Sequence, residues 1–345
     1  MAIDFDAFMA TMVMQPHSLS LSRAVSLARE CYGIEARVAR LTGERDENFK
    51  LTAADGSDYV LKVAHPAESP AVTDFTTAAL LHLENHDPTL PCPRVVRARG
   101  GRSHVRFIDD QGAQRTARLL TYLPGQPLGC SQRAGRLRVE CGRLGGRLIR
   151  ALRTFRHPAA HRTIVWDVRH AAHLARLVGE IAGFPCRHEA LAVLARIVPR
   201  IDTQLPQLRQ QIVHNDLNPK NILVAETDEV TGIIDFGDMT YTAVIADVAV
   251  TAAEHIPADC SASSGEAAAS VHDVANAYHE SVPLSDQELA MLGTLVAARL
   301  VANMVVHEWH LHRNPAGEHY RPLGADFIQT RLQIAAELSV EGSIL

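Results

Sequence analysis

A polar loop between two apolar runs, in the stretch IVHNDLNPKNILV (212–224), narrows the possible folds more than any other feature of the chain. It places His214, Asp216 and Asn221 at fixed spacing, although a buried strand rarely accommodates Asn-Asp or Asn-Pro pairs. The second run leads through an acidic turn to a further apolar run that ends in IIDFGD, which contains Asp235. Because a tight turn brings the outer ends of two strands together, we expect Asp235 to lie beside Asn221 and Asp216.

Two carboxylates and an amide in one small volume are a suitable set for a divalent cation and a polyphosphate. Like charges repel at close range, so the cluster needs a cation to offset the repulsion. Carboxylate and amide oxygens can bind Mg²⁺ together with phosphate oxygens. The spacing therefore predicts oxygen ligands for Mg²⁺, with one carboxylate left to take a proton.

The hydrophobic pattern changes near LPGQPLG (123–129). Before this point it predicts a helix over 20–34, strands over 35–65 around an Asp55-Gly56 hairpin signal, a helix over 74–86 and strands over 93–123. After it, the pattern predicts amphipathic helices over 131–154, 167–182, 187–200 and 286–312, and one strand pair over 221–236. The capping box Ser285-x-x-Glu288 opens the last of these helices.

These elements predict an α+β fold with two lobes. A chain of 345 residues is longer than one compact core usually accommodates. We expect residues 1–123 to form an antiparallel sheet with an inserted helix, and residues 124–345 to form a mainly helical lobe, with a cleft between them.

Composition narrows the range of partners. The net charge is −5, from 34 basic and 39 acidic side chains, whereas nucleic-acid binding needs a basic excess or stripe. The six cysteines are widely spaced, with no CxxC, as expected for reduced thiols. The first residues lack the basic region of a signal peptide, and no apolar run suggests a membrane span. We expect a cytoplasmic protein without nucleic-acid or membrane partners; the oligomeric state stays open.

The pattern H-x-D-x4-N followed by I-D-F-G resembles the aminoglycoside phosphotransferase and choline kinase superfamily, the small-molecule relatives of protein kinases. The resemblance extends over nearly the whole chain, because the strand-rich first third and the link after it also fit. It implies a bilobal, protein-kinase-like fold and transfer of the γ-phosphate of ATP or GTP to a hydroxyl group.

The resemblance also implies roles for the loop residues. Asp216 would orient or deprotonate the acceptor hydroxyl, while Asn221 and Asp235 would hold Mg²⁺ against the nucleotide phosphates. His214 resembles a histidine that braces this loop. Asn218 stands where protein kinases usually carry a lysine, which favours a small-molecule hydroxyl substrate over a protein.

On the nucleotide side, Lys62 of YVLKV is similar to the phosphate-binding lysine of the family. Such a lysine needs a carboxylate partner from the following helix. Asp74, Glu84 and Glu68 are the available residues, and we expect Asp74, as a shorter substitute for the usual glutamate.

Two further segments are candidates for nucleotide contacts. The turn LTGERDENF (41–49) contains one glycine and so lacks a GxGxxG cradle; Asn48 either orders this turn or donates to phosphate, and an ordinary hairpin turn is an equal alternative. The link Thr121, Tyr122 and Leu123 would present backbone groups to the purine, so these side chains do not distinguish ATP from GTP.

A narrower resemblance concerns the acceptor. The segments WDVRH (166–170), GERDENF (43–49) and DFGDMTYT (235–242) are similar to hydroxylysine kinases and to the kinase-like domain fused to some class III aminotransferases. Hydroxylysine kinase activity in that group uses GTP, so the donor is either ATP or GTP.

A hydroxylated amino acid or amino alcohol fits the charges of these segments. Asp167 and Asp238 could hold an ammonium group and Arg169 a carboxylate, with Trp166 beside them. Alternatively, Asp167 caps a helix and Trp166 packs against the core.

Several functions stay open at this stage. An aminoglycoside, choline, ethanolamine or homoserine kinase uses the same motif, and a nucleotide-binding pseudokinase is the non-enzymatic alternative. A strongly acidic pocket would favour the polycationic aminoglycosides, whereas a pocket with acidic and basic groups would favour an amino acid. Asp247, in IADVAV, is expected to be a buried structural residue bonded to nearby backbone.

Overall fold

The computed structural model describes Met9 and residues 18–43, 46–130, 134–257, 263–315 and 321–340. Within these ranges, an antiparallel sheet comes first and helices dominate after it, which confirms the α+β prediction.

The sheet carries Lys62 and the residues around it. Its strands are β1 Ala36–Leu41, β2 Glu47–Ala53, β3 Asp58–Val63, β4 Val95–Val96, β5 Val105–Ile108 and β6 Gln114–Thr121. They lie in the order β1-β2-β3-β6-β4, and β5 also pairs with β6. The predicted Asp55-Gly56 turn joins β2 to β3, and Gly56 adopts a φ of 87° that favours glycine.

Alternation along β3 decides where Lys62 points. Leu61 and Val63 are fully buried with Phe49 of β2 in a core beneath helix α1, Leu21–Leu27. Because successive side chains in a strand point to opposite faces, Lys62 projects from the other face of the sheet.

A second helix, α2, covers that other face. It spans Pro70–His86 and so begins earlier than the sequence pattern predicts. Ser69 is the reason, because its hydroxyl accepts the backbone N–H of Ala71 at 3.3 Å, and Pro70 suits the first helical position.

The rest of the described chain is mainly helical. The helices are α3 Ala134–Leu152, α4 Ala171–Glu180, α5 Arg187–Gln204, α6 Val244–Glu254, α7 Ser264–Ser281, α8 Asp286–Arg313 and α9 Ala325–Leu338. The strands among them are β7 Gln126–Pro127, β8 Gln210–Val213, β9 Ile222–Val224, β10 Val230–Ile233 and β11 Thr240–Ala243.

Strand pairing in this part is richer than predicted. The β9–β10 hairpin confirms the expected pair, but β11 also pairs with β8, and β7 pairs with β9. These extra strands are two to four residues long, which is too short to show a clear period of two. The chain leaves the sheet at Thr121 and soon reaches β7, which pairs with β9 of the helical part.

Helix α8 is the central helix of the larger core. The predicted capping box is confirmed, since Ser285 accepts the Glu288 N–H and the Glu288 side chain bonds back to Ser285. By length and composition this helix could cross a membrane, but 83% of its apolar window is buried inside the protein. It is packed against α4, α5, α6 and α9 as a core helix.

A second core holds the loop of residues 214–221, here called the active loop, between the two parts of the chain. Leu217 of the loop and Phe236, which follows Asp235, are buried in it. They pack with Phe75 of α2 and Leu148 of α3 in the same cluster. The loop is thereby fixed to helices on both sides of it.

Candidate active site

The loop after β8 and the segment after β10 meet as expected. The Ile234 N–H donates to the Asn221 carbonyl at 2.9 Å, which joins the two chain segments next to Asp235. Two residues here, Asn215 and Asp235, adopt positive φ angles of 65° and 57°. Such conformations are costly for residues other than glycine and need support from the surrounding structure.

Asp247 of α6 supplies that support. Its carboxylate accepts the Asn215 N–H at 2.6 Å and the Tyr278 hydroxyl at 3.0 Å, and the residue is fully buried. The prediction of a structural, backbone-bonded Asp247 is confirmed. Burial raises its pKa to about 6.

His214 also braces the loop. Its ring is fully buried, edge-on to Phe236 with 4.8 Å between ring centroids, and its Nδ1 accepts the Asp216 N–H at 3.3 Å. Burial lowers the pKa of His214 to about 4, so the ring is neutral near pH 7 and can act as this acceptor.

The Asp216 carboxylate is bonded at both oxygens. One oxygen accepts the Asn221 amide at 2.7 Å, and the other accepts the Asn218 amide at 2.9 Å and the Arg299 guanidinium at 3.0 Å. Burial raises the pKa of Asp216 well above its usual range, Arg299 opposes that effect, and the nearby Asp238 carboxylate adds to it. A carboxylate with this pKa and this geometry can accept a proton from a hydroxyl group.

Asp235 and Lys62 form an ion pair in the same site. The Lys62 Nζ lies 3.1 Å from Asp235 and 3.8 Å from Asp46. Lys62 lowers the pKa of Asp235; burial acts to lower the pKa of Lys62, but the two carboxylates raise it overall. Both side chains are therefore charged near pH 7.

The donor set fits a divalent cation that also binds phosphate. The nitrogen of the Asn221 amide is bonded to Asp216, and its oxygen accepts no hydrogen bond from a described residue. The Asp235 side chain is 50% exposed. No group of three or more His, Cys, Asp or Glu residues in the described ranges could hold a metal alone. Mg²⁺ commonly takes one or two protein oxygens and completes its shell with phosphate and water.

Asp216, Asp235 and Lys62 line one cavity between the sheet and the helical part. Its charged lining residues are Asp46, Glu68, Asp216, Asp235 and Asp238 among the acids and Lys62, Arg118 and Arg162 among the bases. The cavity therefore combines both signs of charge around the Asp216 carboxylate.

The predicted partner of Lys62 is wrong. Asp74 is 56% exposed, and its carboxylate lies 3.2 Å from His157. Helix phase explains the difference, because the face of α2 toward the cavity carries Thr73 and Thr76, and Asp74 lies around the helix from it. Lys62 pairs with Asp235 instead.

Arg118 occupies the space between Lys62 and α2. It stands opposite Lys62 on β6, lines the cavity and is 5% exposed. Its guanidinium donates to the Thr77 hydroxyl at 3.2 Å, and also to Thr76. Sequence reasoning missed Arg118, because its position opposite Lys62 on the neighbouring strand is known only from the strand register.

The other three residues expected to contact the nucleotide are Asn48, Thr121 and Leu123, and they lie in different surroundings. Asn48 lines the cavity and donates to the Thr42 carbonyl at 3.2 Å, so its amide orders the turn. The Thr121 N–H donates to the Arg94 carbonyl at 2.9 Å and is therefore occupied. Leu123 follows the end of the sheet and packs near Gly232. It stays the candidate in this link for a backbone contact with the purine.

Two of the four predicted acceptor residues, Asp167 and Arg169, lie outside the lining of the cavity. Asp167 is 1% exposed and caps a helical turn, accepting the backbone N–H of Arg169 at 3.0 Å and its side chain at 2.8 Å. Arg169 also donates to the Thr240 hydroxyl at 3.2 Å. These two charges bond to each other and do not line the cavity, so the capping alternative holds. Trp166 and Asp238 do line it.

Sequence reasoning also missed two arginines that bond Gly237 and Asp216. Arg162 lines the cavity and donates to the Gly237 carbonyl at 2.8 Å. Arg299 of α8 contacts Asp216 from behind. An arginine within the apolar run LVAARLVANM (295–304) was the available signal, because a buried charge requires a partner.

The sequence is similar to those of known phosphotransferases. Residues 37–289 match the model of the phosphotransferase enzyme family. The hydroxylysine kinase of Mus musculus is 26% identical over 328 residues, which cover 87% of this chain and 84% of the relative. That of Danio rerio is 27% identical over 331 residues, covering 90% of each.

Solved structures share the fold. An amicoumacin kinase, hAmiN, in complex with AMP-PNP, Ca²⁺ and Ami superposes with a TM-score of 0.67 at 19% identity, covering 92% of each chain. A microcompartment-associated aminopropanol kinase superposes with a TM-score of 0.64 at 18% identity, covering 93% of this chain and 95% of the other. The expected kinase-like fold is thus confirmed.

The family match covers most of the chain, and the chemistry of this family uses a nucleotide and a divalent metal ion. The chain belongs to the phosphotransferase enzyme family and is a small-molecule kinase.

Proposed function

We propose that this kinase transfers the γ-phosphate of ATP or GTP to the hydroxyl group of a hydroxylysine-like amino acid, with Mg²⁺ held by Asn221 and Asp235. The observation that carries the proposal is the fixed Asp216 carboxylate, which shares one cavity with Lys62 and the Asp235 carboxylate.

Each side chain has a role that follows from its position. Lys62 binds the donor phosphates with its ammonium group, which now lies against Asp235. Asp216 orients the acceptor hydroxyl and accepts its proton as the oxygen attacks the γ-phosphorus and the bond to the leaving diphosphate breaks. Bound Mg²⁺ would offset the negative charge of the phosphates, and Asn221 and Asp235 supply oxygens of the kind it prefers.

The acceptor end of the cavity favours an amino acid over a polycation. Asp238 offers a carboxylate for an ammonium group, and Arg162 offers a guanidinium for a carboxylate. The Trp166 ring beside them adds a surface for the aliphatic part or the cation of the substrate. Curated relatives that align over most of their length are named hydroxylysine kinases, which supports the same acceptor class.

The test is nucleoside diphosphate release in the presence of Mg²⁺. ATP and GTP are each combined with 5-hydroxylysine, ethanolamine, choline, homoserine or kanamycin. We expect the highest kcat/KM with hydroxylysine, and a loss of about 10²–10⁴-fold in kcat for Asp216→Asn, the range typical of a general base.

A matched control separates the base from general effects of the substitution. Asp202→Asn changes an exposed carboxylate of α5 outside the cavity and should retain full activity. Turnover with kanamycin or choline in preference to hydroxylysine would refute the acceptor, and an active Asp216→Asn variant would refute the base.

A further inference from the structure

Arg299 connects three parts of the site. From α8, its Nε donates to Glu254 at 2.8 Å, one terminal nitrogen donates to the Trp166 carbonyl at 3.2 Å, and the other donates to Asp216 at 3.0 Å. Its guanidinium carbon also lies 5.5 Å from the centre of the Trp166 ring. The side chain is 4% exposed, so these contacts are made away from solvent.

We propose that Arg299 is a positioning residue for phosphoryl transfer, which fixes the Asp216 carboxylate in the orientation that receives the acceptor hydroxyl. The proposal rests on the proposed role of Asp216 as the base. Asn221 bonds one oxygen of that carboxylate, and Arg299 bonds the other from a different element. Together the two bonds prevent rotation of the carboxylate about its own axis.

The position of Arg299 excludes a direct contact with substrate. The cavity is lined by Asp216, Asp238 and Trp166 at this end, and Arg299 is not among its lining residues in the described ranges. The guanidinium thus lies behind Asp216 and acts on the acceptor hydroxyl through that carboxylate.

Charge makes the arrangement specific to arginine. Apart from Arg299, the side chains that bond the Asp216 carboxylate are the amides of Asn218 and Asn221, in the part of the chain that the structure describes. Arg299 therefore supplies the positive charge in direct contact with it. A lysine keeps that charge but cannot span Glu254, the Trp166 carbonyl and Asp216 at once, because its donors share one nitrogen.

A purely structural role makes a different prediction. Glu254 also accepts a bond from Asn303 at 2.8 Å, so Arg299 and Asn303 together tie α6 to α8. If this tie were the whole role, Asn303→Ala and Arg299→Met would both lower the melting temperature and leave kcat intact below it.

The experiment compares Arg299→Lys, Arg299→Met and Asn303→Ala with the wild type. The assay is nucleoside diphosphate release with the most active acceptor of the panel. If the enzyme phosphorylates none of these compounds, water serves as the acceptor. We expect kcat to fall about 10²-fold in both Arg299 variants, since small misplacements of a reacting group have effects of that order. Nucleotide affinity and the acceptor KM should change by less than about threefold, because Arg299 touches neither, and Asn303→Ala should keep the wild-type kcat.

Chemical rescue and a structural readout complete the test. For the rescue, a further variant, Arg299→Ala, leaves space for guanidinium ion, which should restore part of its kcat. A crystal structure of Arg299→Lys should show a rotated Asp216 carboxylate. A wild-type kcat in Arg299→Lys, or an unchanged Asp216 orientation, would overturn the proposal even if Arg299→Met fails to fold.

Asp216→Asn, assayed in parallel, separates this proposal from the proposed function. If Asp216→Asn is inactive while both Arg299 variants are active, only the positioning role is refuted. If Asp216→Asn retains full activity, the base assignment itself is wrong and the role of Arg299 falls with it.

Discussion

At the scale of single residues, charge partners decide which side chains are available for chemistry. Lys62 lies between two carboxylates, those of Asp235 and Asp46, on the face of the sheet that borders the cavity. Lys50, on the neighbouring strand, instead pairs with Asp58 at 2.7 Å and lies 4.2 Å from the centre of the Tyr122 ring. The two lysines are similar in sequence context, but only Lys62 lines the cavity.

Replacement of Lys62 by methionine should therefore damage nucleotide use. We expect a rise of more than about tenfold in the nucleotide KM, because the phosphates lose a charged hydrogen-bond donor, which typically contributes about 1.5–3 kcal/mol. Steady-state kinetics with varied ATP or GTP measure the effect. Lys50→Met is the matched control and should keep the wild-type KM; equal effects of the two substitutions would contradict the assignment.

The corrected acceptor residues make a second prediction at this scale. Asp167→Ala should lower the free energy of unfolding by about 1 kcal/mol, the usual effect of removing a capping side chain, without changing the acceptor KM. Asp238→Ala should raise the acceptor KM, since Asp238 lines the cavity. Thermal unfolding and acceptor titrations distinguish the two. A raised acceptor KM in Asp167→Ala with no loss of stability would restore its predicted substrate role.

At the scale of elements, close helix packing supports the strained loop. Helices α3 and α7 approach each other where Gly145 faces Tyr278. The Tyr278 hydroxyl donates to Asp247, and Asp247 in turn accepts the N–H of Asn215 in the active loop. A contact between two helices is thus coupled to the backbone of the loop.

Gly145→Ala should disturb both stability and activity. A Cβ at this position would lie 2.0 Å from the Tyr278 hydroxyl oxygen, so the ring must move and its bond to Asp247 must weaken. Overpacking of this kind typically lowers the free energy of unfolding by about 1–3 kcal/mol. Denaturant unfolding measures that loss, and kcat reports the effect on the loop.

Gly179→Ala is the control for that substitution. Gly179 lies in α4, and an added Cβ would meet no atom within 4 Å. Removing a helical glycine there should be neutral or stabilising by up to about 1 kcal/mol. If Gly145→Ala behaved in the same way, the proposed coupling between this helix contact and the loop would be wrong.

At the scale of the whole molecule, buried titratable groups couple stability to pH. Burial lowers the pKa of His255 to about 4, as it does for His214. Neither ring nitrogen of His255 has a hydrogen-bond partner among the described residues. An unfolded histidine has a pKa of about 6.5, so between pH 6.5 and 4 the unfolded state binds more protons. The contribution of His214 and His255 to the free energy of unfolding is therefore present above pH 6.5 and is lost as the pH falls to 4.

Asp247 acts in the opposite direction over part of this range. Its pKa in the folded protein is about 6, above that of an unfolded aspartate, so its protonation favours the folded state between about pH 6 and 4. Burial also raises the pKa of Asp216, so that carboxyl group acts in the same direction as Asp247 and against the two histidines.

His255→Leu isolates one of these contributions. The free energy of unfolding of the variant, relative to the wild type, should increase by up to about 3 kcal/mol between pH 7 and pH 4, because the variant has no histidine to protonate on unfolding. Urea unfolding at several pH values measures the difference. Parallel stability curves for the two proteins would show that His255 does not titrate on unfolding.

Local spacing was sufficient to identify the main features of the fold and the loop. The hairpin turn at Asp55-Gly56 and the capping box at Ser285 each depend on residues close together in the chain. The meeting of Asn221 with Asp235 also follows from local structure, since one short hairpin separates them. Helix α6 was not predicted, because its residues from Val244 to Ala253 are all buried and it therefore lacks the exposed polar face of a surface helix.

The sequence by itself therefore determined the α+β fold class and the set of Asp216, Asn221 and Asp235, whose arrangement depends on one loop and one hairpin. Only the tertiary structure decided which other charges meet them. The phase of α2 turned Asp74 away from Lys62, and a buried helix far along the chain brought Arg299 to Asp216. These contacts join residues from separate elements, so they depend on packing angles and helix phases that no local pattern encodes.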